Sequence, residues 1–502
     1  MSWGIRGLIE GFYGRPWTWD ERAEVMRWCH DRGMTHYVHA PKDDPKHREA
    51  WRDPYEPDEL DGFRRLVDEG TLAVGFGISP GLSMDYRSSD DLGALGAKVD
   101  QVLKVGVDLV CLALDDIPFR AGLGEDHVHV TRWLAEHVGG RASLLLVPTE
   151  YVGSRTTPYL EALAAGIPED VPIAWTGMAV MNDVITADEA RARADALGGR
   201  LPFLWDNFPV NDGMMVDRLH LGPLWGRDAA LPRQCSGYLA NPMVQPRASK
   251  LPLASVAAFL RGEDPVDAWV LEADALGVRV FAEACDGAVP RALVQNLADK
   301  AGMPSWVDAA LPLASWLSAA GGCGAADLGD EVGPWVDQVH REARVGLDAV
   351  RLLQAIRPGV RLDGAGNGRA VAPDPSSAMN HAGALWFRWP RLWRSSESVM
   401  GVRLGFRPAL GQRPDGTWRY QPDAMLEDQN AIDALCRLAL ANLAALDDVG
   451  PLVVEVDGTR VPLGDDGSFA AEPGAFVTAR SGTLATRVRV PFSPPLDDPR
   501  FA

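Results

Sequence analysis

Along the first half of the chain, short apolar runs alternate with longer stretches whose apolar residues recur at three- and four-residue spacing. The runs predict buried strands, and the longer stretches predict helices lying over them. The predicted strands are Gly4–Glu10, Thr35–Ala40, Leu72–Ile78, Leu109–Leu114, Ser143–Val147, Pro172–Trp175, Leu201–Trp205 and Ser236–Ala240. They recur at intervals of roughly 30 to 40 residues, the length of a strand, a helix and their loops. Eight such units over about 250 residues predict an α/β architecture, a (β/α)8 TIM-like barrel. A doubly wound open sheet is the main alternative, but no GxGxxG follows the first strand to support it.

Beyond residue 250 the pattern changes. Leu251–Arg261, Pro265–Leu276 and Pro290–Lys300 carry helical spacing, and Glu331–Ile356 aligns Trp335, Val336, Val339, Ala343, Leu347, Val350 and Leu353 on one stripe. The expected organisation is a catalytic barrel over 1–250, an α-helical domain over 251–357 and a smaller mixed α/β region over 358–502. In the last region, Pro358–Pro375 reads as a Gly- and Pro-rich linker. Its Gly364-Ala-Gly366-Asn-Gly368 follows no clear strand, so no phosphate loop is expected. Leu385–Trp389 reads as an aromatic strand, Asp428–Leu446 as a helix, and 451–492 as short strands around turns at Asp457-Gly458 and Asp465-Asp-Gly467. No function attaches to this region.

Turn formers, carboxylates, amides and aromatics gather at the carboxyl ends of the predicted strands. The first strand runs into Glu10-Gly-Phe-Tyr-Gly-Arg-Pro-Trp17, the second into Ala40-Pro-Lys-Asp-Asp44, the third into Ser79-Pro-Gly81 and the fourth into Asp115-Asp116. The fifth meets Pro148-Thr-Glu-Tyr151, the sixth Trp175-Thr-Gly177, the seventh Trp205-Asp-Asn-Phe-Pro-Val-Asn-Asp212 and the eighth Asn241-Pro-Met243. In a barrel all these points converge on one mouth, where such enzymes keep their active sites.

The paired aspartates carry the most chemistry. Two like charges at the rim of an apolar run are unfavourable unless something uses them. Their repulsion lets one stay protonated while the other is ionised. A turn or helix-cap pair is the structural alternative. Consecutive strand residues point to opposite faces, so the chain must bend for both to serve one site. Pro118 suits such a bend.

Composition narrows the class. A net charge of −20, from 49 basic and 69 acidic residues, argues against nucleic acid or an anionic membrane as partner. The 17 Trp residues suit sugar stacking, although most would serve the core in any large protein. Six scattered Cys with no CxxC pair suggest buried free thiols. The start lacks a basic region followed by an apolar core, and no run of 18 apolar residues appears, so a cytoplasmic protein is expected by default. His127 and His129 form an HxH with no third ligand placed by spacing, so no metal is expected.

In this order the signatures resemble glycoside hydrolase family 84, the O-GlcNAcase-like β-N-acetylglucosaminidases, over residues 4 to 250. The resemblance implies retaining exo-hydrolysis of terminal β-linked N-acetylglucosamine on glycoconjugates, assisted by the sugar's own acetamido group. No cofactor is implied. Asp115 would orient the acetamido N–H and stabilise its growing positive charge. Asp116 would act as general acid and then general base, a role contributing about 10²–10⁴-fold. Tyr151 would hold the acetamido oxygen, with Asn207 at the same end of the pocket. Gly11 (through its backbone), Lys42, Asp212 and Asn241 would bind sugar hydroxyls, while Trp205 and Thr176 would wall the acetamido pocket. The bland alternatives are a surface ion pair for Lys42, turn formers for Asn207 and Asp212, and a satisfied core hydroxyl for Tyr151.

Other readings stay open at this level. The chain could be a non-catalytic binder of N-acetylglucosamine or glycoproteins on a retained barrel, or an endo-acting hyaluronidase-like enzyme. Glu150 could act as nucleophile in an ordinary double displacement. The first strand begins almost at residue 1, so the α/β domain preceding the barrel in some bacterial members is expected to be absent. No acetyltransferase-like region is expected, and the oligomeric state is left undefined.

Overall fold

Strand positions separate into two faces with a period of two. On β4 (Leu109–Ala113), Leu109, Cys111 and Ala113 join one buried cluster, whereas Val110, Leu112 and the following Leu114 join another. The first cluster also takes Ile9, Val38, Leu145, Val147, Phe203 and Leu239 and fills the barrel interior. The second lies between strands and helices. A one-residue slip would exchange the faces, and burying each large apolar side chain is worth about 1.5–3 kcal/mol, so the register is strongly specified.

The computed structural model of the chain describes residues 3–362, 367–401, 408–412, 418–422 and 430–491. Its barrel runs β1 (Ile5–Glu10), α1 (Trp19–His30), β2 (His36–His39), α2 (Pro57–Asp68), β3 (Ala73–Ile78), α3 (Ser89–Lys104), β4, α4 (Leu123–Val138), β5 (Ser143–Val147), α5 (Pro158–Gly166), β6 (Ala174–Trp175), α6 (Ala187–Ala196), β7 (Phe203–Asp206) and β8 (Gly237–Ala240). These are the eight units expected from the spacing. The parallel strands are ordered β5-β4-β3-β2-β1-β8-β7-β6. A parallel bridge between Leu146 and Ile173 joins the two ends of that order, making a nearly closed barrel. The helices start where local chemistry says they should. Thr18 with Glu21, and Thr186 with Glu189, form capping boxes that satisfy amides of the first turn.

The described residues form two compact units. One comprises Met1–Arg279, Ala326–Val332 and Gly405–Leu426, and so includes α7 (Pro246–Arg261) and α8 (Pro265–Ala275). The other comprises Val280–Ala325, Gly333–Leu404 and Glu427–Ala502. It contains α10 (Ala288–Lys300), α11 (Val307–Ala320) and α12 (Gly333–Ala355), following α9 (Arg279–Asp286). Beyond them lie β9 (Gly359–Leu362), β10 (Asn367–Val371) and α13 (Pro375–Leu392), and in the first unit the antiparallel pair β11 (Pro408–Gln412) and β12 (Trp418–Pro422). The second unit ends with α14 (Ala431–Ala441), β13 (Val453–Val456), β14 (Thr459–Val461), β15 (Ser468–Ala470), β16 (Phe476–Ser481) and β17 (Leu484–Arg489). Strands β13 to β17 bear out the alternation expected over 451–492, and Asp457-Gly458, both at positive φ, turn β13 into β14.

Two expectations for this region are corrected. Leu385–Trp389 is part of α13, not a strand. Ala378, Ala382, Leu385 and Leu392 are buried at helical spacing, and Asp374 accepts from the Ser377 amide at 3.0 Å to start the helix. That stripe outweighs the β-preference of aromatic residues. The expected linker Pro358–Pro375 instead carries β9 and β10, paired antiparallel, with β15 on the far side of β10. Gly364, Ala365 and Gly366 lie outside the described residues. Among the described residues no helix is long and apolar enough to cross a membrane. None of the six cysteines forms a disulfide.

Candidate active site

On β1, β2, β4, β6, β7 and β8 the inward face continues, two residues on, into the barrel mouth. After Ile9 comes Gly11; after Val38 and Ala40, Lys42; after Ala113, Asp115; after Ala174, Thr176; after Phe203, Trp205 and Asn207; after Leu239, Asn241. Ala40, Ala113 and Ala174 end the inward layer on their strands, and their small side chains leave space above. A cavity of about 420 Å³ results, within the range of small-molecule sites. Gly11, Lys42, Asp115, Asp116, Tyr151, Thr176, Trp205, Asn207, Asp212 and Asn241 all line it, so the structure brings together the ten residues that the resemblance assigns to the site.

Asp115 follows the strand parity, and Asp116 breaks it. A straight continuation would turn Asp116 away from the cavity, but its φ is +49°, a left-handed conformation that costs a non-glycine residue roughly 1–3 kcal/mol. This turn puts both carboxylates in the cup. Lys42 Nζ donates to Asp115 Oδ2 at 2.6 Å and lies 3.8 Å from Asp116 Oδ2. Asp115 Oδ1 is buried and has no hydrogen-bond partner among the described residues. On Asp116, Oδ1 accepts from the Tyr151 hydroxyl at 3.1 Å and Oδ2 from the Tyr13 hydroxyl at 3.0 Å.

The opposite wall is an amide ladder. Trp205 Nε1 and Asn241 Nδ2 both donate to Asn207 Oδ1, at 2.9 and 3.0 Å, and Asn207 Nδ2 donates to the Val180 carbonyl at 2.9 Å. The Gly11 amide donates to Asn241 Oδ1 at 3.2 Å. A Cβ at Gly11 would lie 2.5 Å from the Trp205 ring, so only glycine fits there. Thr176 donates to the Ala179 carbonyl at 3.1 Å and fixes the loop after β6. Asp212 Oδ2 accepts from the Tyr13 amide at 2.8 Å, and burial pushes its carboxyl above the usual range.

Two buried ion pairs support these loops from outside the barrel. Arg22 donates twice to Glu10, at 2.8 and 2.9 Å, with the Tyr37 hydroxyl on the same carboxylate. Arg227 donates twice to Asp206 at 2.8 Å, joined by the Tyr238 hydroxyl at 2.7 Å. Glu10 and Asp206 directly precede Gly11 and Asn207, so each triad anchors a stretch of the cup wall. Glu150 does not line the cavity; its carboxylate accepts from Thr157 Oγ1 at 2.5 Å. His127 is buried between the Tyr159 and Tyr86 hydroxyls, at 2.8 and 3.3 Å. Among the described residues no group of three or more His, Cys, Asp or Glu is placed to hold a metal ion.

A family model described as beta-N-acetylglucosaminidase matches residues 6–280, more than half of the chain. The chain belongs to that family. It is the glycoside hydrolase family 84 that the strand-end signatures resemble. The protein O-GlcNAcases of Rattus norvegicus and Mus musculus are each 30% identical to this family member over 273 residues, 51% of this chain and 30% of theirs. The match thus spans less than a third of these curated relatives. Among solved structures, an O-GlcNAc hydrolase mutant of Thermobaculum terrenum has a TM-score of 0.71 at 24% identity, covering 89% of this chain and 96% of its own. CpGH84B has a TM-score of 0.70 at 24% identity, covering 79% and 75%. At that identity the likeness is one of fold.

In this β-N-acetylglucosaminidase family member, sequence reasoning missed several residues of the cup. Tyr13 lies inside the first signature, yet nothing local marks its hydroxyl as a partner of Asp116. Arg48 lies six residues past Lys42, and its guanidinium donates to the Asp116 carbonyl at 3.1 Å and to the Tyr13 hydroxyl at 3.2 Å. Val180, Met181, Met214 and Met215 add an apolar side to the cavity. Their loops carry no periodic pattern, so only position in space could reveal them.

Proposed function

We propose that this protein is a retaining exo-β-N-acetylglucosaminidase that removes terminal β-linked N-acetylglucosamine from O-GlcNAc-type glycoconjugates, with the substrate's acetamido group as nucleophile. The observation that carries this reading is the bare oxygen of Asp115. A buried acceptor left unpaired costs about 1–3 kcal/mol, and more when charged. Such an oxygen in a sugar-sized cup is suited to a donor that arrives with the ligand. The N–H of a 2-acetamido group is that donor.

In the proposed reaction the acetamido oxygen attacks the anomeric carbon as the glycosidic bond breaks, giving an oxazoline. Asp115 accepts the N–H and stabilises the positive charge that grows on the amide. Asp116 gives its proton to the departing oxygen, then takes one from the water that opens the oxazoline. Two displacements at one carbon leave its configuration retained. The neighbouring aspartates, both within 4 Å of the Lys42 ammonium, suit this division better than a pair straddling the bond would. Lys42 has further N–H donors beyond the one on Asp115, so it can also bind a sugar hydroxyl. Gly11, Asp212 and Asn241 would complete the hydroxyl contacts. Tyr151 and Asn207 would meet the acetamido end, against Trp205 and Thr176. Six cysteines without a disulfide suit a reducing compartment and support a cytoplasmic setting.

The test is hydrolysis of a chromogenic β-N-acetylglucosaminide. Turnover should be inhibited by a thiazoline mimic of the oxazoline, and Asp116→Asn should slow it by about 10²-fold or more. Binding without turnover would instead make the chain a sugar-binding protein.

A further inference from the structure

Asp116 reaches the cup because its backbone enters the left-handed region. Residues distant in the chain brace it there. Arg48, buried in the loop after β2, donates from Nη2 to the Asp116 carbonyl at 3.1 Å. From Nη1 it donates to the Tyr13 hydroxyl at 3.2 Å, and that hydroxyl donates to Asp116 Oδ2 at 3.0 Å. One rigid guanidinium therefore braces both the backbone turn and the carboxyl group of the same residue. We propose that Arg48, acting through Tyr13, is the positioning residue that holds Asp116 in the orientation proton donation requires. This proposal rests on the glycosidase reading of the site.

The indirectness of the contact is the telling feature. Elsewhere in the barrel the buried arginines Arg22 and Arg227 grip carboxylates directly with paired hydrogen bonds of 2.8 to 2.9 Å. Direct pairing of that kind holds a carboxyl ionised. Arg48 stays 3.9 Å from Asp116 Oδ2, beyond hydrogen-bond reach, and spends its donors on a carbonyl and a phenol. Both are neutral acceptors. The carboxyl is thus fixed in place through a phenol and its own backbone rather than by a direct paired grip. Lysine could not reproduce this, because a single ammonium lacks the planar fork that spans both acceptors.

The experiment compares kcat/KM on two aryl β-N-acetylglucosaminides, one with dinitrophenolate as leaving group and one with methoxyphenolate. Dinitrophenolate leaves without a proton, whereas methoxyphenolate needs the acid. Arg48→Met should lower kcat/KM on the methoxyphenyl substrate by about 10²-fold and leave the dinitrophenyl substrate within about tenfold. Arg48→Lys should not restore the loss. Tyr13→Phe, a change at a ring 40% exposed and so no threat to folding, should show the same selective loss to a smaller degree. Equal losses on both substrates in Arg48→Met and Tyr13→Phe would mean a merely structural role and would overturn the proposal. Asp116→Asn serves as reference. If it is selective while the other two are not, the brace alone is wrong. If wild type does not turn over, or Asp116→Asn is unselective, the underlying reading falls and the brace with it.

Discussion

Lys42 Nζ stands 2.6 Å from Asp115 Oδ2, while the other oxygen of that carboxylate is buried with no partner among the described residues. The ammonium fixes one end of the carboxylate and leaves the other for the ligand. Lys42 comes from the segment after β2 and Asp115 from the end of β4, so closure of the barrel creates the pairing.

Asp115→Asn keeps the shape of this group but removes its charge. On the proposed function, its kcat/KM should fall by about 10²-fold or more, and affinity for a thiazoline inhibitor should fall with it. Steady-state kinetics and inhibitor titration check both. Undiminished inhibitor affinity would show that the free oxygen is not the amide's acceptor.

Gly11→Ala should damage the site and the fold together. The added methyl would sit 2.5 Å from the Trp205 ring, which is itself hydrogen-bonded to Asn207. Overpacking of this kind costs about 1–3 kcal/mol. Thermal unfolding should report the destabilisation and kinetics a raised KM. A variant as stable and active as wild type would contradict this packing.

The Asp206–Arg227 pair should be costly to break. Both side chains are nearly fully buried, so Arg227→Met strands a carboxylate and should destabilise by about 3–5 kcal/mol. Denaturant unfolding of Arg227→Met, Asp206→Asn and the double variant would show whether the double change is milder than the sum of the singles. Strict additivity would argue against coupling.

Stability should also depend on pH through two buried histidines. Burial pushes the imidazoles of His47 and His127 down to about 3. On unfolding each returns to a value near 6.5 and takes up a proton that the folded state refuses. Stability is therefore complete above pH 6.5 and is lost as pH falls toward 3. Between pH 7.5 and 5.5 each histidine should remove about 1 kcal/mol, read from urea midpoints. His127→Gln should flatten the decline. A midpoint that does not move over this range would rule the effect out.

Much of the cup was readable as periodicity. Residues such as Lys42, Asp115, Thr176 and Asn241 follow an inward-facing strand position by two, so their direction was implied once the strands were recognised. Asp116 was not readable in this way. The need for a bend was, but the left-handed turn that supplies it leaves no periodic trace. Tyr13 and Arg48 were missed for a different reason. Arg48 meets its carbonyl partner 68 positions further along the chain, and nothing local to either residue announces the other. In the second unit the aromatic run Leu385–Trp389 misled, because composition was read where the helical stripe of Ala378, Ala382, Leu385 and Leu392 should have ruled.

By itself the amino-acid sequence determined the eight strands and the clustering of polar and aromatic residues at their carboxyl ends, because the alternation of apolar runs and helical stretches is short-range and repeats along the barrel. Which residues then touch was decided only by the tertiary structure. The bare oxygen of Asp115, the left-handed Asp116 and the Arg48 brace arise where loops from distant strands meet at one rim, and the energy of such meetings depends on distances in space that no local pattern encodes.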